Sequence, residues 1–181
     1  MAKYIKGVLI PQTEIAGMCR RLGERISSDY AGREVILIGV LKGAWMFMAD
    51  LVRQLSIPVR VDFIAVSSYG SGTRTSGVVR ITKDLDSDIT GKHVILVEDI
   101  VDTGLTVNHL RQLLGTRNPA SIAICTAFDK KDRRQVDMDI QYIGMEIPNE
   151  FIVGYGLDFD GKYRNLPDVA ILCDDSQGGE K

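Results

Sequence analysis

The amino-acid sequence predicts an α/β fold with a mostly parallel central sheet flanked by helices. Apolar runs at 34–40, 94–97 and 121–128 are short and nearly uninterrupted, which is typical of strands buried on both faces of a sheet. Apolar residues also recur at helical spacing over 13–28 and 105–114. Strands that alternate with helices indicate βαβ units. Such sheets bind ligands beyond the carboxyl ends of their strands, so we expect the functional residues there.

The other predicted elements are short. They are a helix over 44–55, a strand over 58–67, a polar loop over 67–77, and strands around 140–147, 151–155 and 169–172. Gly115 is the expected C-cap of the helix over 105–114. The length of 181 residues and the lack of a visible linker predict one domain spanning 1–181.

Composition excludes several classes of protein. Hydrophobic residues make up 45% and charged residues 25%, as in ordinary globular proteins, and the formal net charge of -2 gives no support for a nucleic-acid partner. The cysteines, Cys19, Cys125 and Cys173, are odd in number and far apart, which argues against a disulfide framework or a cysteine-rich zinc site. No apolar run approaches the ~18 residues of a membrane span, and we expect a cytoplasmic protein.

The segment 94–106, V-I-L-V-E-D-I-V-D-T-G-L-T, carries the functional argument. A buried strand delivers Glu98 and Asp99 at its carboxyl end, and a short loop then opens a helix. Gly104 allows the backbone to approach a ligand closely, and the first helical turn offers free N–H groups with a partial positive charge. These features predict a pocket for a phosphate monoester. The paired acids would repel phosphate, so they fit a ribose diol or a divalent cation better.

Each feature of this segment also has an ordinary structural interpretation. Asp-Thr-Gly forms turns, threonine caps helices, and acids are common at solvated strand ends. Their combination in thirteen residues favours a ribose 5-phosphate site. The segment lacks the Walker A pattern, and Gly154-Tyr155-Gly156 lacks the third glycine of a dinucleotide fingerprint.

The run at 94–106 resembles the phosphoribosyl pyrophosphate signature of type I phosphoribosyltransferases, and residues from about 10 to 172 resemble the hypoxanthine-guanine branch of that family. The resemblance implies a small hood formed by the terminal segments beside the main sheet. It also implies a purine salvage reaction in which hypoxanthine or guanine displaces pyrophosphate from the donor, with Mg²⁺ as the cofactor. A homodimer or homotetramer is implied as well.

Several segments carry the resemblance and its implied roles. Leu41, Lys42 and Gly43 match the loop whose amides hold pyrophosphate, with a strained peptide before the lysine. Ser68 and Tyr69 head the loop 67–77, which matches a mobile lid. In the signature itself, Asp102 matches the general base, and Glu98 and Asp99 match the residues that orient the ribose diol. The matches to the 5-phosphate loop are Thr103, Gly104, Leu105 and Thr106.

The purine side of the resemblance lies further along the chain. Lys130 matches the lysine that reads the 6-oxo group, although Lys131 leaves an ambiguity, and Arg134 is a charge partner nearby. Phe151 matches the ring that stacks on the purine. Ile152 matches the residue whose backbone contacts the base edge, a position where valine is more usual. If the resemblance is set aside, the ordinary interpretation is that Lys130 is a solvated loop lysine and that Phe151 packs in the core.

The remaining matches concern the leaving group and the metal. Arg164 matches the residue that contacts pyrophosphate. Glu98 and Asp99 match ligands of a first magnesium ion, and Asp158 matches a ligand of a second one. A xanthine-preferring enzyme is the main alternative. A regulatory homologue that binds RNA is the alternative from another class, but it would need a basic face beyond the cluster at 130–134.

Overall fold

The structure is a computed structural model that describes residues 3–68 and 79–174. It contains two sheets, three α-helices and one 3-10 helix. The helices are α1 (Gln12–Asp29), α2 (Trp45–Val52) and α3 (Leu105–Gly115), and the 3-10 helix is Lys131–Arg133. The strands are β1 (Lys3–Ile10), β2 (Val35–Leu41), β3 (Val59–Ser68), β4 (Val79–Lys83), β5 (His93–Val101), β6 (Ser121–Asp129), β7 (Tyr142–Glu146), β8 (Ile152–Val153) and β9 (Val169–Asp174).

The larger sheet has six strands in the order β4-β3-β2-β5-β6-β7. Every neighbouring pair is parallel except β3 with β4 at one edge. The mostly parallel sheet predicted from the apolar runs is therefore confirmed. Its central strands β2 and β5 are buried on both faces, which explains why their sequences show no polar alternation.

Helices cover both faces of this sheet, and alternate residues of β2 and β5 divide between two apolar cores. On one face, Leu37 and Val97 pack in a core with the apolar sides of α1 and α2. On the other face, Ile38 and Leu96 pack with α3. Within the described residues, no helix is long and apolar enough to cross a membrane.

The smaller sheet is the hood implied by the resemblance. It has the order β1-β9-β8 and joins both terminal segments, with Lys3 opposite Asp174 and Ile10 opposite Val169. The sequence did not predict β1, because its residues are mostly exposed and show no clear period. The strand predicted at 151–155 contains only Ile152 and Val153, since left-handed and turn conformations begin at Gly154.

Other elements also differ from the sequence predictions. Helix α2 ends at Val52 rather than at 55, and β4 was not predicted. Gly115 is the last residue of α3, and Thr116 is the C-cap, in a right-handed conformation that needs no glycine. Strand β5 continues past 97 to Val101. Its pairing with β2 ends where Gly39 lies opposite Val97, but its pairing with β6 continues to the end of the strand.

Candidate active site

The acidic pair lies on the part of β5 that extends beyond β2. Glu98 is buried, with 7% exposure, and its pKa is raised well above the usual value by burial and then by the charge of Asp99. Burial also raises the pKa of Asp99 to about 6, against the opposing effect of Arg164. The Ile100 amide donates to Asp99 Oδ1 at 2.8 Å. Two adjacent carboxylates with little positive charge around them are suited to accept hydrogen bonds from hydroxyl groups or to bind a cation.

The loop after β2 lies directly against this pair. The peptide bond between Leu41 and Lys42 is cis. A Cβ atom on Gly43 would lie 1.7 Å from Asp99 Oδ2, so only glycine fits there. On its other side, the Gly43 carbonyl oxygen would lie 2.2 Å from a Cβ on Gly156, whose φ of +97° also requires glycine. The loop at 41–43 is thus held between β5 and the segment around Gly156.

The segment after β5 forms the predicted strand–loop–helix pocket. A cavity of about 120 Å³ is lined by residues of this segment, namely Glu98, Ile100, Val101, Asp102, Thr103, Gly104, Thr106 and Val107. Gly104 is the N-cap of α3 with φ +80°, and a Cβ there would meet Met138 Sδ at 2.9 Å. Thr103 Oγ1 accepts from the Leu105 amide at 3.4 Å. The first turn of α3 therefore opens into a small cavity with hydroxyl groups at its rim.

Asp102 lies at the mouth of this cavity between two cationic side chains. Arg133 Nε is 2.9 Å from Asp102 Oδ1, and Lys130 is near enough for the Asp102 charge to raise the lysine pKa against a larger lowering by burial. Oδ1 is nevertheless buried and accepts no hydrogen bond in the described part of the chain, so the Arg133 contact is electrostatic. A carboxyl oxygen that accepts no hydrogen bond from the protein is suited to interact with an N–H group of a ligand.

The two lysines after β6 differ in environment. Lys130 is buried, with 8% exposure, and its amide donates to the Val101 carbonyl at 2.9 Å, which ties it to the end of β5. Lys131 is exposed at the start of the 3-10 helix. The geometry therefore favours Lys130 as the residue that faces the site. Arg134 forms a partly buried ion pair with Asp129.

Phe151 is 49% exposed, contrary to the interpretation that places it in the core. Its ring meets the edge of the Phe159 ring at 5.8 Å between centroids, and Lys3 Nζ lies 5.2 Å from its centroid. Glu150, the preceding residue, is close enough to Lys130 to influence its pKa. The segment that carries the exposed Phe151 ring therefore lies within range of the lysine's charge, while Ile152 is buried in β8.

Asp158 and Arg164 contact each other on the far side of the acidic pair. Arg164 Nη2 is 2.6 Å from Asp158 Oδ1, and Arg164 Nη1 donates to the Gly156 carbonyl at 2.5 Å. Asp158 Oδ2 accepts from the Gly161 amide at 2.7 Å. The charges of both side chains influence the pKa of Asp99. The loop at 154–164 therefore lies at the same edge of the sheet as the acidic pair.

The structure describes most of the predicted site residues, but not all of them. Ser68 ends β3, whereas its side chain, Tyr69 and the rest of the proposed lid lie outside the described residues. The sequence reasoning missed two contributors, Arg133 and Gly156. Arg133 belongs to the basic cluster at 130–134, and Gly156 to a motif weighed only as a dinucleotide fingerprint, so the signals were present but assigned to other functions.

The carboxylates do not form a metal cage by themselves. Within residues 3–68 and 79–174, no group of three His, Cys, Asp or Glu side chains is placed to hold a metal ion. A cation at Glu98 and Asp99 would need oxygen atoms from a ligand and from water. Magnesium, which takes one or two carboxylates together with phosphate oxygens, fits this arrangement.

Comparisons with known proteins agree with this geometry. The chain matches the phosphoribosyl transferase domain family over residues 11–160. It is 48% identical over 177 residues to the hypoxanthine phosphoribosyltransferase of Salmonella typhimurium, covering 96% of this chain and 99% of the relative. It is 47% identical over 172 residues to the hypoxanthine-guanine phosphoribosyltransferase of Streptococcus thermophilus, covering 95% and 96%.

A solved structure extends the likeness to the fold. The crystal structure of a hypoxanthine-guanine phosphoribosyltransferase from Bacillus anthracis superposes with a TM-score of 0.90 at 43% identity, covering 96% of this chain and 100% of that chain. Sequence and fold thus agree with these relatives over nearly the whole chain. The chain belongs to the phosphoribosyltransferase family, in its hypoxanthine-guanine branch.

Proposed function

We propose that this chain is a purine salvage enzyme that transfers the ribose 5-phosphate group of phosphoribosyl pyrophosphate to hypoxanthine or guanine. One observation carries the proposal: a cavity at a helix N-terminus, a buried acidic pair and a carboxylate flanked by Lys130 and Arg133 share one edge of the sheet. The names of the relatives favour this reaction over the xanthine-preferring and RNA-binding alternatives.

The donor site is assigned to the end of β5 and the loop after it. The free amides at the start of α3 and the hydroxyl groups of Thr103 and Thr106 bind the 5-phosphate, with the backbone of Gly104 and Leu105. Glu98 and Asp99 accept hydrogen bonds from the adjacent ribose hydroxyls. The tight fit of Gly43 against Asp99 supports this assignment, because it brings the amides of the 41–43 loop next to the diol site.

The pyrophosphate site is assigned to the same loop and to Arg164. Amides of Leu41, Lys42 and Gly43 donate to the leaving group, and the Arg164 guanidinium neutralises part of its charge. Arg164 is paired with Asp158, so donor binding draws it away from that carboxylate. Ser68 and Tyr69 belong to the proposed lid over this site.

The purine is assigned to the space between Phe151 and Lys130. Phe151 is exposed and free to stack on a base, and the backbone of Ile152 contacts the base edge. The Lys130 ammonium is a donor without acceptor capacity. It therefore hydrogen-bonds a 6-oxo group but meets the 6-amino group of adenine with a second donor, which explains a preference for 6-oxopurines.

Mg²⁺ is the proposed cofactor, held by Glu98 and Asp99, with Asp158 for a second ion. The raised pKa values of Glu98 and Asp99 support this, since they mark carboxylates whose charge the described protein does not neutralise. When bound, the cation offsets the negative charge that develops on the departing pyrophosphate.

In the proposed reaction the imidazole nitrogen of the purine forms a bond to the anomeric carbon of the ribose. The bond from that carbon to pyrophosphate oxygen breaks, through a transition state that resembles an oxocarbenium ion. Asp102 accepts the proton that leaves the purine ring, and its unpartnered Oδ1 supports this role. Binding of the 5-phosphate at α3 fixes the reacting carbon between nucleophile and leaving group.

The proposal is tested with a purine panel. The purified protein is incubated with phosphoribosyl pyrophosphate, Mg²⁺ and each of hypoxanthine, guanine, xanthine and adenine, and the nucleotide products are quantified by mass spectrometry. We expect IMP or GMP with hypoxanthine or guanine, loss of product with a chelator, and little product with adenine. A folded protein that converts none of the four purines would contradict the proposal.

Three further properties belong to the proposal: the first two rest on chain length and cysteine usage, and the third is implied by the family resemblance. We propose a single cytoplasmic domain that assembles as a homodimer or homotetramer. Sedimentation velocity over a range of protein concentrations measures the assembly directly, and a monomer at all concentrations would contradict it.

A further inference from the structure

A guanidinium from the 3-10 helix after β6 joins two parts of the purine site. Arg133 Nε lies 2.9 Å from Asp102 Oδ1, and Arg133 Nη1 donates to the side-chain oxygen of Asn149 at 3.4 Å. Asn149 stands two residues before Phe151. One side chain therefore links the carboxylate proposed to take the purine proton to the segment that carries the proposed stacking ring.

A proton acceptor on a short loop needs such a contact. The χ2 torsion of aspartate has a broad and roughly two-fold distribution, so the backbone of the 102–106 loop alone leaves the carboxylate plane undefined. In other enzymes a catalytic base is oriented by a third group that contacts it. Lys130, the other cation near Asp102, is committed to the purine oxygen in the proposed mechanism, which leaves Arg133 for this task.

We propose that Arg133 is a positioning residue for purine phosphoribosyl transfer: it holds the Asp102 carboxylate in the orientation that accepts the ring proton and ties it to the stacking segment through Asn149. This inference rests on the proposed function and on the role of Asp102 within it. Arg133 itself touches no reacting atom.

The competing view is that Arg133 and Asp102 form an ordinary surface ion pair. Such pairs contribute little to stability and nothing to chemistry. The chain contains a matched example in Arg60, whose Nε lies 3.2 Å from Glu34 Oε1 at the opposite end of the sheet, with side chains 61% and 39% exposed. The Arg133–Asp102 pair has 46% and 39% exposure. Arg60→Met therefore controls for the loss of an exposed arginine pair.

The decisive experiment is a double-mutant cycle on the single-turnover rate, with donor affinity measured separately. We expect Arg133→Met to slow the chemical step by roughly 10- to 100-fold, as a misplaced catalytic group does, with donor affinity unchanged. Arg133→Lys should recover part of the rate, because it keeps the charge but cannot contact both partners at once. Arg60→Met should match the wild type.

The cycle is completed by Arg133→Met in the Asp102→Asn background. If Arg133 acts through Asp102, it has nothing to orient there, and the second substitution should cause no further loss. Equal losses in both backgrounds would overturn the inference, as would a wild-type rate for Arg133→Met in an active enzyme. An inactive wild-type enzyme would instead refute the proposed function, and this inference with it.

Discussion

The contact between Gly43 and Asp99 makes a single methyl group a strong test of the site. In Gly43→Ala the new Cβ would start 1.7 Å from Asp99 Oδ2, whereas real Cβ contacts are longer than 3.0 Å, so one group must move by at least about 1.3 Å. The loop cannot retreat freely, because the Gly43 carbonyl already lies against Gly156. Rotation of Asp99 would break its hydrogen bond from the Ile100 amide.

Either movement displaces a group assigned to the donor. A shift of about 1 Å in a positioning group costs on the order of 10²-fold in rate, so we expect kcat/KM for phosphoribosyl pyrophosphate to fall by roughly that factor. Overpacking should also lower the free energy of unfolding by about 1–3 kcal/mol. The separate affinity for the purine, measured by calorimetry, should change less than the affinity for the donor.

The matched control is Gly115→Ala at the end of α3, where a Cβ would meet nothing within 4 Å and the backbone is helical. It should keep the wild-type kcat/KM, and its stability should change by less than about 1 kcal/mol. Steady-state kinetics and urea unfolding on the same preparations measure both quantities. Wild-type donor kinetics in Gly43→Ala would refute the placement of the loop beside Asp99.

Three further substitutions test other parts of the molecule. Asp102→Asn should slow single turnover by roughly 10²–10⁴-fold with donor affinity retained, because the amide cannot take a proton, and a near-normal chemical step would remove Asp102 from the mechanism. Phe151→Leu should raise the purine KM by roughly 5- to 100-fold through loss of stacking, with the donor KM unchanged as the internal control. Asp62 is buried, which raises its pKa, but hydrogen bonds from Phe63 and Ser87 together with the charge of Lys83 outweigh burial and lower the pKa overall. Asp62→Asn should therefore cost about 1–3 kcal/mol of unfolding free energy at pH 7, and this difference should shrink as the pH falls through the lowered pKa below 3.8; a constant difference in urea melts would contradict the reasoning.

The fold of the larger sheet was predictable because burial on both faces leaves a strong sequence signal. The apolar runs at β2, β5 and β6 and the helical periods of α1 and α3 gave the order of elements and the parallel pairing. Two of the peripheral strands, β1 and β4, gave no such signal. β1 is mostly exposed, and β4 is a five-residue antiparallel strand that pairs only with β3, so neither has a continuous apolar run.

The candidate site was predictable where it lies within one segment. Residues 94–106 carry strand, acids, loop and helix start in order, and the structure brings them together around one cavity. Contacts between distant segments left no local trace. The approach of Gly43 to Asp99, of Gly156 to Gly43 and of Arg133 to Asp102 depends on how separate loops meet above the sheet, and a single sequence carries no pattern for that.

The distribution of charge divides the site into two halves with different needs. On the donor side, burial and then the charge of Asp99 raise the pKa of Glu98, and Arg164, the nearby cation, is already paired with Asp158. On the purine side, Asp102 has two cations near it, Lys130 and Arg133. On the proposed assignment, the donor half therefore gains from a cation that arrives with the anionic substrate, whereas the purine half already has two cations beside its carboxylate. This asymmetry gives a physical reason for the donor, with its cation, to enter before the purine.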